Sequence, residues 1–256
     1  MKTSFQWPAS TYDQFYPKAQ MLRQEFEEIY IDPREGNPHK FSFEPWYIED
    51  QFYHLKTPAT SFFSEESCAD FLNHLVDWGR RHLGCQMVSP PWLSLYLDGH
   101  FQNWHADNPQ GPFAFVYTLM PKWSPAQGGR TFLLKPEVLN YWSHSEFSTG
   151  FEKDQLIKSF TPKFDRLLVF DPRLPHRVET VRGPRSPLDG RLVLHGWFTE
   201  PRPTCIEELS VKQEQEFFGE WVPELIEKYP EVAELSGYVC FQIRISSKGE
   251  VQVHSL

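Results

Sequence analysis

RLLVFDPRLPHRVETV, residues 166–181, opens with five residues rich in Leu, Val and Phe and then stops at DPRLP, where two prolines end any regular pairing. A run that short, bounded by a turn cluster, reads as a buried strand rather than a helix. The same unit recurs on both sides: WLSLYL (92–97), FAFVYTLM (113–120), RTFLL (130–134) and RLVLHGWF (191–198). Turn clusters DGH, DNPQGP, SPAQGG and RGPRSPLDG separate them. No helix-length pattern alternates with these strands, which argues against a doubly wound α/β sheet. The spacing predicts a mainly β fold with flanking helices, its core a sandwich, jelly roll or small barrel over residues 91–200.

Outside that core, Phe15, Ala19, Leu22, Phe26 and Ile29 recur at helical spacing, predicting a helix over 11–30 with Pro17 in its first turns. A second helix is expected from Ser64, a good N-cap, to Gly84. Residues 1–90 therefore read as a helical, aromatic-rich support region. PEVLNYWSH (136–144) suggests one helical turn. Residues 201–256 follow a Pro-rich linker, EPRPT, with a helical region around QEQEFFGEW and a closing hairpin, YVCFQIRI–SSKG–EVQVHSL.

The chain of 256 residues carries a formal net charge of −9, which disfavours nucleic acid and anionic membranes as partners. The opening residues, MKTSFQWPASTYDQFYP, lack the apolar centre of a signal peptide, and no apolar run is long enough to span a bilayer. A cytoplasmic protein is expected. Its four scattered cysteines (Cys68, Cys85, Cys205, Cys240) form no metal-binding spacing and are expected to be reduced.

The chemistry begins at NWHADNPQGP, residues 103–112. His105 and Asp107 are two apart, so on an extended segment both point to one side. Two imidazoles and one carboxylate on one face of an octahedral ion form the ligand set of non-haem iron(II) oxygenases. The best candidate for the second imidazole is His176, which follows an apolar strand and a Pro-bounded turn. His39, His54, His74 and His82 precede the β core, His144 lies in a loop insertion, and His100 and His254 lack carboxylate neighbours in this arrangement. Arg191 opens RLVLHGWF; pointing inward, it would hold a carboxylate bidentately, and His195 and Trp197, on the same face of that strand, would then line the pocket wall.

YLDG, WHADNP, GGRTF, PKFDRLLVF, PHRV and an arginine six residues before a tryptophan occur in one order from Leu95 to Phe198. In that order they resemble the Fe(II)- and 2-oxoglutarate-dependent dioxygenases, and within them the prolyl 4-hydroxylase branch. The resemblance implies a double-stranded β-helix, with His105, Asp107 and His176 as iron ligands and Arg191 on the distal carboxylate of 2-oxoglutarate. It further implies Tyr117 on that same carboxylate, Tyr96 bonded to 2-oxoglutarate near the metal, and Thr131 lining the pocket. Fe(II), 2-oxoglutarate and O2 are the implied cofactors and co-substrates, with ascorbate stimulatory. The reaction is hydroxylation of an aliphatic C–H bond with release of succinate and CO2. Because Asp107 fills the carboxylate position, halogenation is disfavoured.

An amino-acid side chain in a peptide or protein is the implied substrate. Alternatives are a free amino acid or small natural product, or a non-catalytic jelly-roll binding module with a vestigial metal site. The stretch GPRSPLDG lengthens the interval from His176 to Arg191 beyond the family's usual one. Arg185 lies six residues before Arg191, as in the paired arginines of nucleic-acid demethylases, but Pro187 and Gly190 would interrupt such a strand, so Arg185 reads as a loop residue.

Overall fold

The computed structural model describes the chain apart from residues 1–4, 33, 35, 108–109, 137–155, 202–209, 231–240, 247, 249 and 256. The expected helical turn in PEVLNYWSH, together with Cys205 and Cys240, falls outside the described residues.

Strands β1 (Ala9–Asp13), β2 (Glu44–Ile48), β3 (Phe52–Pro58), β4 (Cys85–Val88), β5 (Trp92–Tyr96), β6 (Phe101–His105), β7 (Phe113–Thr118), β8 (Thr131–Leu134), β9 (Ile157–Phe160), β10 (Arg166–Phe170), β11 (His176–Val178) and β12 (Arg191–Pro201) form one antiparallel sheet. Its order is β1-β10-β7-β12-β5-β3-β6-β11-β8-β9, with β2 added beside β3 and β4 beside β12. This is the double-stranded β-helix: one set of strands from β1 to β3, a facing set from β6 to β9, joined where β3 pairs with both β5 and β6. Helix α1 spans Ala19–Glu28 and α2 spans Glu65–Leu83. Helix α3 (Val211–Lys228) and a separate hairpin of β13 (Phe241–Ile245) and β14 (Val251–Ser255) follow. No helix among the described residues is long and apolar enough to cross a membrane.

Two sequence expectations change. Residues 11–13 are strand, not helix: Thr11 pairs with Leu168 and Asp13 with Arg166, and the helix starts only at Ala19, after Pro17. A β-branched and aromatic ASTYD segment takes the extended state when an open edge is offered to it. Nor are residues 1–90 separate from the barrel, because β1 to β4 all pair within its sheet and β3 sits in its middle. Helix α2 starts and stops as expected: the Ser64 hydroxyl accepts from the Ser67 amide, and Gly84 caps the other end in a left-handed conformation.

The period of two decides which residues reach the interior. On β7, Phe113, Phe115 and Tyr117 face outward into a core shared with Leu22 and Phe26 of α1 and Phe71 and Leu75 of α2. Leu192, Leu194 and Phe198 of β12 join them. Each such fully buried side chain contributes about 1.5–3 kcal/mol through removal from water. The alternate residues, Ala114, Val116 and Thr118, face the barrel interior. Cross-strand register puts Trp197, His195 and Val193 opposite them, and continues through Trp92, Ser94 and Tyr96 on β5.

Candidate metal centre

His105 ends β6 and His176 begins β11, and the two are direct partners in the ladder. Their ring centroids are 4.2 Å apart. Asp107 lies just past β6, its backbone amide donating to the Pro172 carbonyl at 3.0 Å. Its Oδ1 lies 3.7 Å from Nε2 of His105 and 3.6 Å from Nε2 of His176. These spacings are too long for good hydrogen bonds and leave the three atoms converging on one point. No other such group of three His, Cys, Asp or Glu occurs among the described residues.

Protonation suits a metal. Nδ1 of His105 lies 2.8 Å from the Asn103 carbonyl and Nδ1 of His176 lies 2.9 Å from the Leu174 carbonyl. A carbonyl only accepts, so each Nδ1 carries a hydrogen and Nε2 is the ring nitrogen turned to the centre. The Gln102 amide, donating to Nε2 of His105 at 3.1 Å, fits the same tautomer. Burial and the neighbouring His176 press the His105 pKa down, which favours the neutral imidazole. Burial would raise the carboxyl of Asp107, but His176, His105 and the Trp197 N–H together hold it below the usual carboxylate value. Two imidazoles that turn Nε2 to one point and an ionised carboxylate fit a divalent iron.

Trp197 does more than line the wall: its Nε1–H donates to Oδ2 of Asp107 at 3.0 Å, fixing the carboxylate so that Oδ1 faces the imidazoles. His195 shares a 2.8 Å hydrogen bond with the Ser94 hydroxyl. Burial, followed by the charge of Lys56, lowers the His195 pKa to about 3, so the ring is neutral.

Arg191 points into the barrel and is 2 % exposed. Its Nη2 donates to the Thr131 hydroxyl at 3.2 Å, and its guanidinium lies 4.8 Å from the centre of the Tyr96 ring. Nε and Nη1 are buried without a hydrogen-bond partner. A buried cation with two idle donors carries a desolvation cost of several kcal/mol until an anion meets it. Val116, Thr118, Thr131, Phe160 and Leu168 line the small cavity beside it. A carboxylate entering there finds a fork of N–H groups and the threonines Thr118, Thr131 and Thr161, which fits the distal end of a dicarboxylate such as 2-oxoglutarate. Gly129, at φ +72°, passes so close that a Cβ there would lie 3.1 Å from Cδ of Arg191.

Tyr117 is a correction. It faces away from Arg191, in the outer core against Phe71, Phe15 and Tyr16, and donates its hydroxyl to Asp165 at 2.8 Å. Burial and the Asp165 charge raise its pKa, keeping it a donor. The reason is strand phase: Thr118, not Tyr117, shares a face with Val193 and Arg191. Tyr96 does meet the site: its hydroxyl donates to Gln102 at 3.3 Å and its ring underlies Arg191. Arg185 is a surface residue, 4.0 Å from Asp98.

Sequence reasoning missed Gln102. It lies three residues before His105, a spacing that puts two side chains on opposite faces of a regular strand. Between the pairs His176–His105 and Val178–Gln102 the register shifts, so β6 holds an extra residue and Gln102 swings to the metal side. No local sequence signal marks that bulge.

The family model described as the 2OG-Fe(II) oxygenase superfamily matches residues 91–199, the segment that holds every residue of this centre. No curated protein matches the chain. Among solved structures, the chain is similar to a Pseudomonas putida prolyl-4-hydroxylase, with 20 % identity, 75 % of this chain and 92 % of that one covered, and a TM-score of 0.52. It is also similar to a Trichoplax adhaerens prolyl hydroxylase in complex with a hypoxia inducible factor peptide fragment, with 15 % identity, 75 % and 83 % covered, and a TM-score of 0.52. At these identities the likeness is one of fold.

Proposed function

We propose that this chain, a 2-oxoglutarate-dependent dioxygenase through residues 91–199, hydroxylates an aliphatic C–H bond on an amino-acid side chain within a peptide or protein. His105, Asp107 and His176 would hold Fe(II); Arg191 and Thr131 would hold the distal carboxylate of 2-oxoglutarate, with Tyr96 beneath the guanidinium. When bound, the iron supplies the oxidising chemistry that turns C–H into C–OH as O2 and 2-oxoglutarate become C–OH oxygen, succinate and CO2. The protein's own part is positional. Trp197 holds the carboxylate of Asp107, the two backbone carbonyls set the imidazole tautomers, and neutral His195 and Ser94 give the wall beside the metal a polar but uncharged character.

The observation that carries this reading is the pairing of two features in one barrel: three converging ligand atoms and a buried arginine with two unpartnered donors. A vestigial binding module has no need of the second. The peptide substrate rests on weaker support, the fold likeness to a prolyl hydroxylase that is in complex with a peptide fragment. A cytoplasmic setting suits the buried thiols of Cys68 and Cys85, and ascorbate is expected to stimulate turnover.

The test is direct. Purified protein with Fe(II), ascorbate and 2-oxoglutarate is assayed for succinate and for Fe(II) affinity, and peptides and free amino acids are then screened for a mass gain of one oxygen. Folded protein that binds neither iron nor 2-oxoglutarate would overturn the reading. Products confined to free amino acids would move the substrate to the alternative.

A further inference from the structure

We propose that Lys56 anchors a carboxylate of the substrate to be oxidised, between the indoles of Trp46 and Trp92 at the edge of the active-site wall. The proposal rests on the functional reading above and deepens it by naming what the substrate must carry.

Lys56 lies on β3 directly opposite Ser94 of β5. Ser94 holds His195, and two residues further along β12 Trp197 holds Asp107. Lys56 thus sits on the interior face, in the row of side chains that leads to the metal ligands. Strand β2 pairs only with β3, and all five of its residues are exposed, so the edge beyond Lys56 is open to a ligand.

The ammonium is 4.2 Å from the centre of the Trp46 ring and 3.8 Å from that of Trp92. Indole faces stabilise the positive charge but accept none of its N–H hydrogens in the way an oxygen does. Among the described residues no carboxylate forms an ion pair with Lys56; Glu44, its partner across the β2–β3 ladder, does not. In a chain with 34 acidic against 25 basic side chains, a half-buried lysine left without an acid is conspicuous. Arg191 is the other cation of this wall, but it is deeper, turned to Thr131, and matched to the co-substrate. Arg191 in its cavity and Lys56 between its indoles each lack an acid among the described residues, and so fit two anionic ligands. The substrate's carboxylate would meet Lys56 while its apolar part packs on Trp46 and on Phe52, whose ring stacks with that indole.

The shared chemistry is a carboxylate, from either a free amino acid or an acidic residue of a peptide, and the probes separate them. Protein loaded with Zn(II) and saturating 2-oxoglutarate, which does not turn over, is titrated by tryptophan fluorescence. One set of probes is N-acetyl amino acids as carboxylates and as amides. The other is end-blocked pentapeptides with aspartate or glutamate, each against its asparagine or glutamine counterpart. In at least one set the wild type should prefer the carboxylate about tenfold or more. Lys56→Met should reduce that preference to near parity and Lys56→Arg should retain most of it, with 2-oxoglutarate affinity unchanged in all three. Equal or absent binding of both forms by the wild type, or a preference that survives in Lys56→Met, overturns the proposal. A Lys56→Met protein that is merely less stable, with the preference intact, assigns the lysine to pinning β2. Loss of 2-oxoglutarate binding by the wild type would instead overturn the functional reading itself.

Discussion

His176 is the cross-strand partner of His105, one pair in the ladder between β11 and β6, with Asp107 Oδ1 within 3.7 Å of Nε2 on both rings. The two imidazoles are therefore held by backbone pairing, while Asp107, just past β6, is tied by its amide to the Pro172 carbonyl. Asp107→Ala or His176→Ala should abolish Fe(II) binding and reduce 2-oxoglutarate turnover by at least about 100-fold, with the circular dichroism spectrum unchanged. Turnover that persists in either variant would refute the assignment.

Trp197 touches the ligand set through Asp107. Trp197→Phe keeps the ring in the wall but removes the N–H, so the carboxylate is free to rotate. Metal affinity, followed by Co(II) absorption, should fall about 10- to 100-fold, while the 2-oxoglutarate affinity of the metal-saturated enzyme changes little.

Arg191 has two donors without partners in its cavity. Replacement by lysine keeps the charge and loses the fork, so the KM for 2-oxoglutarate should rise by at least about tenfold with a smaller change in kcat. Arg191→Met should bind 2-oxoglutarate more weakly still and yet be as stable as the wild type, or more so, because the uncompensated buried charge is gone. Urea unfolding without ligand measures this.

Tyr117 and Tyr96 separate cleanly. Tyr117→Phe removes a donor from Asp165, which also accepts from the Tyr16 amide, and should cost about 1.5–3 kcal/mol of stability. Its KM for 2-oxoglutarate should stay within about twofold of wild type. Tyr96→Ala, which takes the ring from beneath Arg191, should raise that KM.

His54 is buried and stacked on Tyr96, and burial, followed by the neighbouring His195 and the charge of Lys56, lowers its pKa to about 3. In the unfolded chain the value is about 6.5. The folded state therefore resists a proton that the unfolded state accepts. The stability this histidine contributes is complete above pH 6.5 and is lost progressively as the pH falls toward about 3. Urea unfolding of the ligand-free protein at pH 7, 6, 5 and 4 should show a decline of up to about 1.4 kcal/mol per pH unit from this residue. His195, shifted to about 3 as well, adds a decline of the same sign. His54→Phe should make the profile shallower; an unchanged slope would mean that His54 is protonated in the folded state.

Much of this was legible in the chain. Short apolar runs between Pro and Gly clusters specify strands locally, and a two-residue spacing places His105 and Asp107 together because alternation acts over neighbours. The order of the motifs carried His176 and Arg191 with them. Residues 11–13 were misread because ASTYD is too short to declare its state. It becomes a strand by pairing with β10, a partner some 150 residues away in the chain.

What alternation leaves open is which of two faces looks inward and where the count slips. Tyr117 was assigned to the pocket and Thr118 overlooked, though the pairing of Thr118 with Val193 reverses those roles. Gln102 joined His105 through a bulge, and Lys56 came to the metal side through the register of β3 on β5. Sequence alone determined which residues could be ligands and in what order they come. Only the tertiary structure decided which of their neighbours face them, because facing depends on register between strands distant in the chain, and a slip of one residue turns every side chain to the other side.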